Sequence, residues 1–266
     1  MDPRRPITAI ILAAGKGTRM KSDLPKVVHE IGGRAMVCAV VDACLAAGAT
    51  HVIAVVGYRQ EKVRAALADY AGRVDFAVQD EQLGTGHAVQ CAGPMLMRER
   101  ANHGHEVLVL CGDGPLIRPA TIARMLERHR SPSPLGEAAA TLATAVIEDP
   151  TGYGRIVRGP DGRFRAIVEQ KNCTPEQLKI REVNPSYYCF DARSLFEALA
   201  RVQRNPVSGE YYLTDAPELL LGMGRRVEVI EAVPAEDVLS INTPEDLAKV
   251  DSIYRSRAGG KAGAPR

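Results

Sequence analysis

The chain has 266 residues, 45% of them hydrophobic and 25% charged, with a net charge of +2. That length suits one large α/β domain or two small ones, and the near balance of charge argues against nucleic acid or a membrane surface as partner. No apolar run approaches the roughly 20 residues of a membrane span.

Residues 1–6 lead straight into an apolar run, which leaves no room for a secretory leader. That run, Ile7, Ala9, Ile10, Ile11 and Leu12, has the length and β-branched content of a buried strand. It breaks into Ala13, Ala14, Gly15 and Gly17, followed by Arg19 and Lys26. A small-residue loop with two cations suits a polyphosphate, because backbone N–H groups can approach its oxygens and the cations offset its charge. The loop lacks the Gly-x-x-x-x-Gly-Lys-Ser/Thr of a P-loop, and Met20 stands where a dinucleotide fingerprint has its third glycine. A glycine-rich turn with solvated cations is the plainer alternative.

Residues 27–49 contain a helical pattern, with Met36, Val37, Val40, Val41, Cys44 and Leu45 at spacings of three and four, ending at Gly48. A strand at 51–56, a helix at 59–71 and a strand at 73–78 follow. The third strand runs into Gln79-Asp80-Glu81-Gln82-Leu83-Gly84-Thr85-Gly86, where amides and glycines suit a pyrimidine edge and Thr85 can cap the helix to about residue 97. A fourth strand, 106–110, ends in Cys111-Gly112-Asp113. Asp113 can ligate a divalent ion there, and a turn aspartate beside Pro115 is the alternative. A helix spans about 119–129. This alternation predicts a parallel sheet flanked by helices, with ligands at the carboxyl ends of its strands.

Ser131-Pro132-Ser133-Pro134 marks a change of pattern. A strand at 138–146, a hairpin around Asp161-Gly162 and a strand at 183–190 come next. Asp191 can cap a helix at 192–202, and another starts near Thr214 or Asp215. A strand at 226–232 and an extended piece at 239–242 precede a helix from Pro244 to about residue 255, capped by Thr243. On pattern alone Asn242 reads more readily as an Asx turn than as a ligand. Residues 258–266 read as a disordered tail. The six cysteines, Cys38, Cys44, Cys91, Cys111, Cys173 and Cys189, form no Cys-x-x-Cys pair and read as reduced thiols of a cytoplasmic protein. The histidines do not join them at zinc spacing, and His103 and His105 read as surface residues.

The motifs LAAGKGTRM, SDLPKV, QDEQLGTGHA, GDGPL, DPTGYGRI, IVEQKN and GEYYLTD occur in this order between about Ile7 and Asn242. In them the chain resembles the uridyltransferase domain of the bacterial N-acetylglucosamine-1-phosphate uridyltransferases. The resemblance implies a Rossmann-like, mostly parallel sheet flanked by helices, with a smaller mixed β sugar-binding region. The nucleotide part would cover about 7–130, the sugar part about 138–242, and a C-terminal helix 244–257. It implies UTP and a sugar 1-phosphate as substrates and Mg2+ as cofactor. It places the nucleotide on Leu12, Ala13, Ala14, Gly15, Gln79, Gly84 and Thr85, with Gln82 nearby. It places the triphosphate on Arg19 and Lys26, the metal on Asp113 and Asn242, and the sugar on Gly154, Glu169 and Asn184. The sugar 1-phosphate would attack the α-phosphorus of UTP in line, with no enzyme nucleophile. Where the family has Asn-Thr-Gly, this chain has Asn184-Pro185-Ser186, which leaves glucose 1-phosphate or another hexosamine phosphate open as acceptor. No hexapeptide repeat is present, so neither an acetyltransferase domain nor its trimer is expected in this chain. Another nucleotidyltransferase, and a nucleotide sensor on the same fold, are the competing classes.

Overall fold

A computed structural model describes residues 5–100 and 105–261. The order is β1 (Ile7–Ala13), β2 (Glu30–Ile31), β3 (Arg34–Ala35), α1 (Met36–Ala46), β4 (His51–Val56), α2 (Gln60–Ala66), β5 (Val74–Val78), α3 (Thr85–Arg100), β6 (Glu106–Cys111) and α4 (Pro119–Arg130). Then come β7 (Ala138–Val146), β8 (Gly154–Arg158), β9 (Phe164–Val168), β10 (Glu182–Asp191), α5 (Ala192–Leu199), α6 (Ala216–Gly222), β11 (Arg226–Glu231) and α7 (Pro244–Lys261).

One mixed sheet of order β11-β7-β10-β6-β1-β4-β5 organises the chain, with the β8–β9 hairpin attached through β10. β1 pairs in parallel with β4 and β6, and β4 with β5. β10 enters antiparallel between β6 and β7, so the sugar-binding half expected from sequence shares a sheet with the nucleotide half. β1 is central and packed on both faces, which explains its near-continuous apolar run. Ile7, Ala9, Ile11 and Ala13 face one core with residues of α1, α2, α4 and α7. Ile10 faces a second core with α3, α5 and α6. Each Ile or Val so buried stabilises the fold by about 1.5–3 kcal/mol.

Several expectations need correcting. The helical pattern expected at 27–49 begins only at Met36. Before it lies a β2–β3 hairpin whose turn residues, Gly32 and Gly33, both have positive φ (58° and 84°), the geometry of a tight two-residue turn. Residues 239–242, expected as an extended piece, lie outside any strand or helix. The last helix runs on to Lys261, into the segment expected as a tail, and residues 262–266 lie outside the described residues. His105 is buried, not on the surface, with Nε2 2.9 Å from Thr8 Oγ1; His103 lies outside the described residues. Thr85 does not cap α3. Its hydroxyl accepts from Leu213 N at 3.0 Å. Asp191 does cap α5, accepting from Ser194 N at 2.9 Å. Thr243 and Asp246 form a reciprocal capping pair at the start of α7: Asp246 N donates to Thr243 Oγ1 at 3.1 Å and Thr243 N to Asp246 Oδ2 at 2.9 Å.

Candidate functional site

The loops after β1, β4, β5 and β6 meet at the carboxyl edge of the parallel strands. Short backbone bonds tie them together. Gly112 N donates to Leu12 O at 2.9 Å, Tyr58 N to Ala14 O at 3.1 Å, and Gln79 N to Val56 O at 2.8 Å. Gln82 Nε2 also donates to Ala14 O, at 2.8 Å, so Gln82 braces the first loop against the third. Ala13 and Ala14 are buried, whereas Gly15 is exposed with open space around its Cα.

The first loop then folds back on itself. Gly17 has φ +68°, and a Cβ there would lie 2.6 Å from Lys26 Cβ, so glycine is what lets Lys26 cross the loop. Met20 is buried in the core beneath β1 and pins the turn that carries Arg19. Lys26 Nζ donates to Asp113 Oδ2 at 2.5 Å and to Asn242 Oδ1 at 2.7 Å. Arg19 Nη2 donates to the same Asn242 oxygen at 2.7 Å. Four residues singled out from distant parts of the sequence thus form one cluster. Asn242 does not spend its side-chain oxygen on an Asx turn: Oδ1 faces the two cations, and Asp246 receives its backbone N–H at 2.9 Å.

The loop holding Asn242 is fixed from below. Asp237 is fully buried and receives Arg118 Nε at 2.6 Å and Arg257 Nη2 at 2.5 Å. Ile241 N donates to Asp113 O at 3.4 Å, a backbone link between the two oxygen-bearing segments. Among the described residues no group of three or more His, Cys, Asp or Glu could hold a metal. Asp113 and Asn242 instead offer two hard oxygens within reach of a single cation, already bridged by one ammonium. That donor set fits magnesium, which takes one or two protein oxygens and fills its other positions with phosphate and water. Cys111 lies beside Asp113, but burial pushes its thiol up to about 12, so it stays protonated and is no nucleophile.

The loop after β5 is held by the segment at 211–213. Tyr211 N donates to Leu83 O at 2.7 Å, and Gly86 N to Tyr211 O at 2.8 Å. A Cβ on Gly84 would lie 2.6 Å from Tyr211 O, which accounts for that glycine and for its φ of +103°. Gln79 is buried beneath the loop, with Nε2 3.0 Å from Gly84 O and 3.1 Å from His87 Nδ1.

The three residues assigned to the sugar converge as well. Gly154 and Asn184 are register partners between β8 and β10. A Cβ on Gly154 would stand 3.7 Å from Glu169 Oε1 and 3.8 Å from Asn184 Cβ. Asn184 Nδ2 donates to the buried Tyr188 hydroxyl at 2.6 Å, and Thr214 Oγ1 to Glu169 Oε1 at 3.1 Å. Burial raises the Glu169 carboxyl above the usual range, opposed by its bond from Thr214. Nearby Asp215 is pushed up to about 6, first by burial and then by the charges of Glu218 and Glu169. Asn184-Pro185-Ser186 is a bulge: register shifts between Val183 and Tyr187, and Ser186 takes φ +65°. A glycine would reach that conformation without strain, whereas Ser186 adopts it with a side chain. Four supporting contacts were not read from the sequence, those of Tyr188, Thr214, His87 and Arg155. The last is 1% exposed and donates to Tyr153 O and, at 2.9 Å, to Gln170 Oε1, locking the hairpin to the turn after Glu169.

The MobA-like NTP transferase domain model matches residues 9–213. A bifunctional protein GlmU from Clostridium kluyveri is 41% identical over 249 residues, covering 94% of this chain and 52% of that protein. Proteins of the same name from Heliobacterium modesticaldum and Geobacillus thermodenitrificans are 43% identical over 250 residues and 44% identical over 249, with the same coverage. The chain therefore spans about half the length of the curated relatives it matches. Among the described residues no helix is long and apolar enough to cross a membrane.

Proposed function

The chain belongs to the MobA-like NTP transferase domain family, and from that premise we propose that it transfers UMP from UTP to N-acetylglucosamine 1-phosphate in the cytoplasm. The products are UDP-N-acetylglucosamine and pyrophosphate. The observation that carries this reading is the convergence of Arg19, Lys26, Asp113 and Asn242 at the carboxyl edge of the sheet. It is supported by the likeness to bifunctional GlmU proteins over 94% of the chain.

Asp113 Oδ2 and Asn242 Oδ1 would hold a magnesium ion, which when bound supplies charge neutralisation at two phosphates. The chain's own groups do the rest. Leu12, Ala13, Ala14 and Gly15 present backbone to the nucleotide, with Gly15 leaving room for close approach. Gln79, Gly84 and Thr85 read the base, and Gln82 steadies the loop between base and phosphates. Arg19 and Lys26 offset negative charge on the triphosphate and on the leaving pyrophosphate. Gly154, Glu169 and Asn184 receive the sugar, presenting its 1-phosphate in line with the α-phosphorus. The oxygen–phosphorus bond to the sugar phosphate forms as the bond to pyrophosphate breaks, and no enzyme nucleophile takes part.

Asp113→Ala tests the reading. Turnover of UTP with the sugar phosphate and Mg2+ is lost while the melting temperature stays near wild type, because Asp113 is partly solvated and lies outside both cores. Substantial Mg2+-dependent activity in this variant defeats the metal assignment. Glucose 1-phosphate belongs in the same assay, since Pro185 removes a backbone donor beside Asn184.

A further inference from the structure

Gln79 is 4% exposed, and both amide hydrogens are spent inside the protein. One faces Gly84 O at 3.0 Å, and a carbonyl oxygen can only accept. The atom opposite it is therefore the amide nitrogen, because a flipped amide would set two oxygens 3.0 Å apart. The other hydrogen points at His87 Nδ1, 3.1 Å away, so Nδ1 accepts. A neutral imidazole that accepts at Nδ1 carries its proton on Nε2. Nε2 faces Cys91 Sγ at 3.8 Å, one turn along α3. Burial raises the Cys91 thiol, so a neutral sulfur stands there as a weak acceptor. The chain of bonds settles both the tautomer and the amide. It leaves Gln79 Oε1, an atom that can only accept, with no hydrogen-bond donor among the described residues.

We propose that His87 is a positioning residue that sets base choice, by holding the Gln79 amide so that an acceptor alone faces the nucleotide. This rests on the uridine-nucleotide reading given above. An acceptor edge pairs with the N3–H of uracil and repels the unprotonated N3 of cytosine. Without an acceptor at position 87, the second amide hydrogen is freed and the edge offers a donor as well. Discrimination then falls, although His87 itself never touches the base.

The test compares UTP and CTP in wild type, His87→Leu and His87→Asn. Asparagine can return an oxygen acceptor near the place of Nδ1. His87→Leu lowers the UTP-over-CTP ratio of kcat/KM by at least about tenfold, mainly through a raised KM for UTP, with kcat at saturating UTP little changed. His87→Asn recovers most of the ratio. A wild-type ratio in His87→Leu, or equal losses in both variants, overturns the proposal. Imidazole 15N chemical shifts of the wild-type protein give a check that needs no variant to fold: the Nε2–H tautomer at His87 supports the lock, and the Nδ1–H tautomer overturns it. If wild-type protein turns over no UTP, the uridine reading itself fails, and that result is distinct from a UTP enzyme indifferent to His87.

Discussion

A single lysine shows how the site is assembled. Lys26 reaches Asp113 and Asn242 because Gly17, nine residues earlier, has no side chain where the Lys26 Cβ passes. Gly17→Ala would add a methyl 2.6 Å from that carbon at a φ of +68°, a conformation costing alanine about 1–2 kcal/mol. The expected result is a modest fall in the urea midpoint together with a loss of at least about tenfold in kcat/KM, since a small misplacement of a cation proposed to face the phosphates is expensive. Equal activity would show that the crossing of Lys26 over this loop is not needed. Asp113 stood out in the sequence as a candidate because it is a lone acid at the end of an apolar run, although a turn aspartate beside Pro115 would look the same. Asn242 was not legible from pattern alone, because Asn before Thr-Pro is what an ordinary helix cap looks like; only family resemblance singled it out. His87 and Arg155 lie inside quoted motifs, but motif membership does not say that they contact Gln79 and Gln170. Their roles exist only once the loops are folded together.

At the scale of elements, strands were easier to read than the supports beneath them. The apolar runs of β1, β4 and β6 announce themselves because both faces of the sheet are covered. Thr85 looked like a cap because Thr before a helix usually is one; here the segment at 211–213 competes for its hydroxyl and wins. The packing of α4 carries a pH prediction. His129 is buried on α4 against β7, with Nδ1 3.0 Å from Thr141 Oγ1, and burial pulls its pKa down to about 4. Between pH 6.5 and about 4 the unfolded chain binds a proton there that the folded chain refuses. The stability this group contributes is thus present above pH 6.5 and is lost as pH falls through about 4. Over that window the wild type loses on the order of 3 kcal/mol more than His129→Gln, measured by urea denaturation. Parallel pH profiles for the two proteins would mean that His129 is not held neutral.

At the largest scale one nine-stranded sheet organises the described residues, with the candidate site along one edge, and the antiparallel β10 links its two halves. Because β10 pairs with β6, which ends two residues before Asp113, and with β8, which begins at Gly154, the proposed sugar and nucleotide contacts share a common register. That long-range placement is what a sequence of alternating strands and helices does not specify: it yields the parallel half but not the strand inserted antiparallel beside it. In the proposed reaction this edge joins two substrates directly, without a covalent enzyme intermediate. The most direct measurement is pyrophosphate release from UTP and Mg2+, with and without N-acetylglucosamine 1-phosphate. Release is expected only when the sugar phosphate is present, matched one for one by UDP-N-acetylglucosamine. Release from UTP alone, or none with both substrates present, would contradict the proposed reaction.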